Sequence, residues 1–259
     1  MRIDGTQARD DREDEAAAAA DDHARAVQAR VRDRLVVLLA ALSGATDAIG
    51  LIALGGSFTS VMTGNMVLVG VAIGSKDASA LGLTLVAIGG YVLGVFVGAR
   101  VAGEPRPDDS PWPAAVTRAL LVEFAAFVVF AIAWWALSGA PPEAWLAPLL
   151  ALNAVALGVQ SSAIIRFGVS GLSTTYMTGT LTAVITRLAA RHPLNSVGRS
   201  GAVLAGLIAG AAAGGVVYVA APLAVPALQL GLIGTVVAGA LRLTRPLAPA
   251  RQKSPGATS

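Results

Sequence analysis

Beyond residue 34 the chain is a succession of long apolar runs separated by short polar ones. Six runs, residues 35–54, 81–99, 119–137, 146–165, 202–221 and 223–241, carry at most one charged side chain each. An α-helix rises ~1.5 Å per residue, so each run is long enough to cross the ~30 Å hydrocarbon of a bilayer. Lipid offers no hydrogen bonds, so a spanning segment satisfies its own backbone, and the helix is the form that does this within one segment. The pattern predicts an all-α fold, an integral membrane helical bundle of six spans. Two further apolar stretches, 58–73 and 172–185, are shorter and interrupted by glycine and polar residues.

Charge decides how the short stretches are read. Cytoplasmic loops collect arginine and lysine. If all eight stretches crossed, Arg100, Arg106, Arg118 and Arg166 would lie outside, and a loop without any basic residue inside. If the two short stretches dip in and return, these arginines, those from Arg187 to Arg199, and the basic residues from Arg242 to Lys253 all lie inside. Lys76 alone is outside. The second arrangement is preferred: six spans, two re-entrant or broken helices, both termini cytoplasmic.

The second half of the chain echoes the first. Val61-Met62-Thr63-Gly64-Asn65 resembles Tyr176-Met177-Thr178-Gly179-Thr180, Ala48-Ile49 recurs as Ala163-Ile164, and Gly90, Gly94 and Gly98 recur as Gly206, Gly210 and Gly214. The offset is 115 residues for the first two features and 116 for the glycines. The predicted organisation is a polar, largely disordered tail over 1–34, membrane repeats over 35–138 and 139–243, and a cytoplasmic tail over 244–259. With three crossings each, the repeats insert in opposite orientations, an architecture recurrent in transporters.

These residues carry a family resemblance. Thr46-Asp47-Ala48, Met62-Thr63-Gly64-Asn65, Leu157-Gly158-Val159-Gln160 and the run from Thr174 to Thr182 resemble the YoaK-like family of bacterial membrane proteins, a domain of unknown function (1275). The resemblance spans roughly residues 35 to 241. It implies a multi-pass inner-membrane protein and supplies no substrate.

Composition narrows the chemistry. The chain is 55% hydrophobic and 14% charged, against about 25% charged in ordinary soluble domains. With no cysteine, disulfide and thiol chemistry are excluded. Both histidines lie outside the apolar runs, and no metal or other cofactor is expected. The net charge of +3 sits in arginines flanking spans, not in a basic patch interleaved with aromatics, so nucleic acid is not an expected partner. The acidic start is unlike a cleaved signal peptide, which leaves the first span as its own insertion signal.

The candidate site rests on polar groups at membrane depth. An aspartate at the bilayer centre costs about 2.5–3.5 kcal/mol, so Asp47 is expected to face the bundle interior or a wet cavity. It reads either as a proton or cation site or as a structural hydrogen-bonding group. Glu123 reads as a group near the cytoplasmic end of its span, snorkelling or paired with Arg118. Thr63, Gly64, Asn65, Thr178, Gly179 and Thr180, with Thr182, suit helix breaks whose half-helices start near Asn65 and Thr180. Their positive dipole ends would favour an anionic group while Asp47 favours a cation. Together they suit a zwitterion, or an anion moving with a proton; the alternative is two merely kinked helices. Gln160, Asn153, Ser161 and Ser162 are further polar candidates. Gly90, Gly94, Gly98, Gly206, Gly210 and Gly214 read as helix-packing faces, since small residues let helix backbones approach in lipid.

Expected partners are the lipid bilayer, a small solute with proton or cation coupling, and further copies of the chain in a homo-oligomer. An enzyme is not expected, because no nucleophile has a visible base and no carboxylates pair within the membrane. A transporter or channel is the leading reading. A non-transporting scaffold is the alternative.

Overall fold

The computed structural model describes residues 7–106, 109–167, 177–191, 193 and 197–243. Among these, α1 (Gln7–Ala53), α3 (Ala78–Ala102), α4 (Ala114–Ala136), α5 (Glu143–Ile165), α7 (Gly198–Ala220) and α8 (Val225–Leu243) are the long apolar helices, and α2 (Met62–Ser75) and α6 (Met177–Ala189) the short ones. Among the described residues six helices are long and apolar enough to span a membrane, at the positions the pattern predicts. The chain folds as a membrane helical bundle. The expected tail over 244–259 and the first part of the second motif, including Thr174, Thr175 and Tyr176, lie outside the described residues.

Helix α1 begins well ahead of its apolar run, at Gln7, within the polar stretch. Helix initiation is the costly step. A spanning helix that is already formed removes that cost, and the alanine-rich stretch over 16–20 propagates it readily.

Glycine registers set the helix directions. A Cβ built on Gly90, Gly94 or Gly98 of α3 meets the backbone of Ala151, Val155 and Val159 of α5, in that order, so α3 and α5 run parallel. Gly206, Gly210 and Gly214 of α7 meet Val37, Ala41 and Ala45, so α7 runs parallel to α1. In contrast, Gln160 of α5 reaches Leu39 and Ser43 of α1, while Leu150 touches Gly50, so α1 and α5 are antiparallel. It follows that α1 and α3 are antiparallel, and α5 and α7 likewise. Each short helix therefore returns the chain to the side it came from, and the bundle has six crossings.

Helices α1 and α5 are the most buried, with α7 lying on α1, α3 on α5, and α4 and α8 packed between. Phe127, Phe130 and Trp134 of α4 fill the interior. The indole N–H groups of Trp134 and Trp135 donate to the carbonyls of Pro222 and Leu223, tying α4 to the α7–α8 turn. The tight α2–α3 turn is local chemistry. Lys76 takes a left-handed conformation with φ of 58°, and the Asp77 side chain accepts from the amides of Ser79 and Ala80 as the cap of α3.

Candidate functional site

Asp47 lies six residues before the end of α1 and is 6% exposed. After Ala53 the chain reverses through Gly55 and Gly56, whose φ of 93° and 84° suit residues without Cβ. The following segment runs back down along α1. There Asp47 Oδ1 accepts from the Thr59 amide at 2.7 Å, the Thr59 hydroxyl at 2.9 Å and the Ser60 amide at 2.8 Å. Oδ2 accepts from the Ser60 hydroxyl at 2.5 Å. Four donors thus converge on one carboxylate just ahead of the N-terminus of α2, where the helix dipole also favours negative charge. The place that sequence reasoning reserved for an anionic solute group is filled by the protein's own aspartate.

Asn65 completes the clamp. Its Oδ1 accepts from the Phe58 amide at 2.9 Å and its Nδ2 donates to the Phe58 carbonyl at 2.7 Å, pairing with the loop backbone as a neighbouring strand would. The Ser57 and Thr84 hydroxyls lie 3.0 Å apart and join the loop to α3. Thr63 is exposed, and Gly64 packs its bare face on the Phe58 ring. The half-helix therefore starts at Met62 rather than near Asn65. The interruption is the loop over 54–61, and Gly64 sits within the first helical turn. Sequence reasoning missed Thr59 and Ser60, although the hydroxyl-rich Ser57-Phe58-Thr59-Ser60 run was the available signal.

The second motif is placed differently. Helix α6 begins at Met177, with Thr178 and Gly179 exposed and Thr180 buried. Met177 packs by Val36 and Ala40, seven to eleven residues down α1 from Asp47, or ~10–16 Å along its axis. The two motifs thus lie at different levels. Gln160 Nε2 donates to Ser43 Oγ of α1 at 2.8 Å. Ser162 donates to the Val95 carbonyl and Ser161 to the Leu157 carbonyl, which binds them to helix backbones.

Beside the Asp47 clamp a groove of about 420 Å³ opens between α1, α7 and the loop. Asp47 borders it, and Leu51, Ile52, Phe58, Val61, Leu207 and Ala211 make its lining almost wholly apolar.

Glu123 departs from its expected place near a helix end. Because α4 starts at Ala114, Glu123 is its tenth residue, wholly buried among core side chains and without a hydrogen-bond partner among the described residues. At the arginine-rich end, by contrast, charges are paired. Arg166 donates through Nε and Nη2 to Asp109 at 3.0 Å each, and through Nη1 to the Ala102 carbonyl. The Arg166 hydrogen bonds, followed by one from the Arg106 backbone, hold the Asp109 carboxyl below the ordinary carboxylate range. Arg199 of α7 pairs with Asp33 of α1 at 2.7 Å. These contacts fasten α3 to α5 and α7 to α1 at that end.

A family model described as a protein of unknown function (DUF1275) matches residues 35–239. The UPF0700 transmembrane protein YoaK of Bacillus subtilis (strain 168) is 34% identical over 163 residues, 63% of this chain and 70% of that protein. No solved structure matches.

Proposed function

Since the chain belongs to the DUF1275 family, whose function is unknown, we propose a role for it from its own geometry: transport of a small solute across the bacterial cytoplasmic membrane, by a carrier or channel mechanism and without catalysis. The observation that carries this reading is irregular backbone at membrane depth, clamped by a buried carboxylate beside a solute-sized groove. Non-helical backbone survives in hydrocarbon only when enclosed by protein or lining a cavity. The loop over 54–61 meets both conditions. Ligand pockets run to roughly 300–1,000 Å³, and the groove falls in that range. Its apolar lining suits a solute with a mostly apolar body, whose polar group competes for the hydroxyls that now serve Asp47. Asp47 acts here as a latch that holds or frees the loop.

The reading includes two internal repeats, over 35–138 and 139–243, inserted in opposite senses. It is supported by exchange packing. The glycine helix of each half lies on the first span of the other, α3 on α5 and α7 on α1. The reading puts both termini in the cytoplasm and is supported by Arg100, Arg118, Arg166, Arg199 and Arg242 gathering at one end of the bundle, with Lys76 at the other.

The test runs in two steps. A ligand that binds only the folded state raises its melting temperature, so a library of small organic metabolites is screened against the detergent-purified protein. Uptake of the stabilising compound is then measured in proteoliposomes. Asp47→Asn removes the charge that collects four donors and should lower uptake at least ~10-fold, equivalent to ~1.4 kcal/mol on the barrier, with folded protein still recovered. Unchanged uptake would remove Asp47 from the mechanism. No uptake of any stabilising compound would favour the scaffold reading.

A further inference from the structure

The four donors around Asp47 are two amides and two hydroxyls, all of them neutral. They spread the charge of the carboxylate without cancelling it, and the surrounding elements bring no cation to do so. Arg34 is ~20 Å down α1, and Lys76 follows the far end of α2, ~20 Å from Met62. Helix α7 has no charged residue after Arg199, and α8 none before Arg242. A charge held at membrane depth without a partner of opposite sign marks the path of a ligand or ion.

The groove beside this carboxylate is built for a body that is not water-loving. Gly44, Asp47, Ala48 and Leu51 recur at helical spacing, so they share one face of α1 and form the floor. Phe58 and Val61 of the loop make one wall, and Leu207, Ala211 and Gly215 of α7 the other. At Gly44 the two helices touch, since a Cβ there meets the backbone of Leu207 and Ala211. At Gly215 a Cβ meets nothing within 4 Å, so that position looks into open space. Leu51, Ile52 and Val61 are exposed on the outer surface of the bundle, which opens the groove sideways to lipid. Phe58 adds an aromatic ring, whose face attracts cations.

We infer that the groove takes a lipophilic organic cation, an apolar body carrying an onium group, which enters from the bilayer and sets its charge against Asp47. The inference rests on the transport reading of this groove and names its substrate class. An anion drawn to the Thr59 and Ser60 hydroxyls would lie against a carboxylate of its own sign. A neutral acceptor there would strip donors from Asp47 and leave its charge uncompensated. A small inorganic cation would exchange its hydration for apolar walls and one carboxylate, which is a poor exchange. An organic cation satisfies both features together: its body covers the apolar lining, and its charge compensates Asp47 and frees the hydroxyls that hold the loop.

The test is equilibrium binding of radiolabelled methyltriphenylphosphonium to the full-length protein in lipid nanodiscs, with empty nanodiscs as the blank. Binding should be saturable. Triphenylphosphine oxide, a neutral acceptor with the same three rings, should fail to displace the label. Asp47→Asn should raise the Kd at least ~10-fold, about 1.4 kcal/mol. Gly215→Leu, which fills the open space of the groove without touching Asp47, should do the same and carries the comparison if Asp47→Asn does not fold. Absence of saturable binding overturns the proposal, as does binding that survives either substitution. Displacement by the oxide as readily as by unlabelled phosphonium also overturns it, because the hydroxyls and not the charge would then be what is recognised. Uptake of some other compound by a protein that binds no phosphonium overturns this inference and leaves the transport reading standing. Saturable phosphonium binding without uptake in proteoliposomes does the reverse.

Discussion

Replacing Gly210 with alanine is the sharpest test of how this bundle is held together. A Cβ at that position meets the Ala41 carbonyl oxygen at 1.9 Å and its carbon at 2.5 Å, both backbone atoms of α1. No rotamer change relieves this, so the helices must part by roughly 1.5 Å to reach ordinary contact, and gaps of ~0.5–1 Å already forfeit a quarter to a half of each dispersion contact. Overpacking costs ~1–3 kcal/mol, and a clash this short against backbone belongs at the upper end. Alanine returns ~1 kcal/mol of helix propensity, leaving a net loss of about 2 kcal/mol. Lipid supplies no hydrophobic force to press the helices back together, so the loss is not recovered elsewhere. Gly215→Ala is the control, because its Cβ meets nothing within 4 Å. Unfolding of both variants would be followed in detergent by tryptophan fluorescence. Gly210→Ala should unfold at clearly lower temperature or denaturant than wild type, and Gly215→Ala at wild-type conditions or above. Coincident curves for the two variants would refute close backbone packing as the source of stability.

Two further outcomes follow from the ion pairs at the arginine-rich end and from the topology. Asp109 is held below the ordinary carboxylate range by Arg166, so its stabilisation is present above the unfolded value of ~3.9 and fades as pH falls through the lower folded value. Asp109→Asn should therefore melt below wild type at pH 7, with the gap closing as pH drops below about 4; a gap that persists in acid would show that the pair is not its origin. Single cysteines at Lys76 and Ala189, introduced into a chain with no native cysteine, should react with an impermeant maleimide from the periplasm and the cytoplasm respectively. Labelling of both from one side would exclude the return of α2 and α6 to opposite faces.

The sequence by itself determined the solvent, the six crossings and the glycine faces, because each is written in local pattern. Runs of about 20 apolar residues specify spanning helices wherever they pack, and glycines at every fourth position share one helix face in any tertiary setting. Gly44 and Gly158 pack just as closely, against Leu207 and Tyr91 backbone, but stand alone and carry no period to betray them. Only the tertiary structure decided what Asp47 and Glu123 face. A carboxylate's role in a membrane depends on which groups other segments bring within hydrogen-bond reach: Thr59 and Ser60 reach Asp47 because the chain reverses at Gly55 and Gly56, whereas among the described residues no group donates to Glu123.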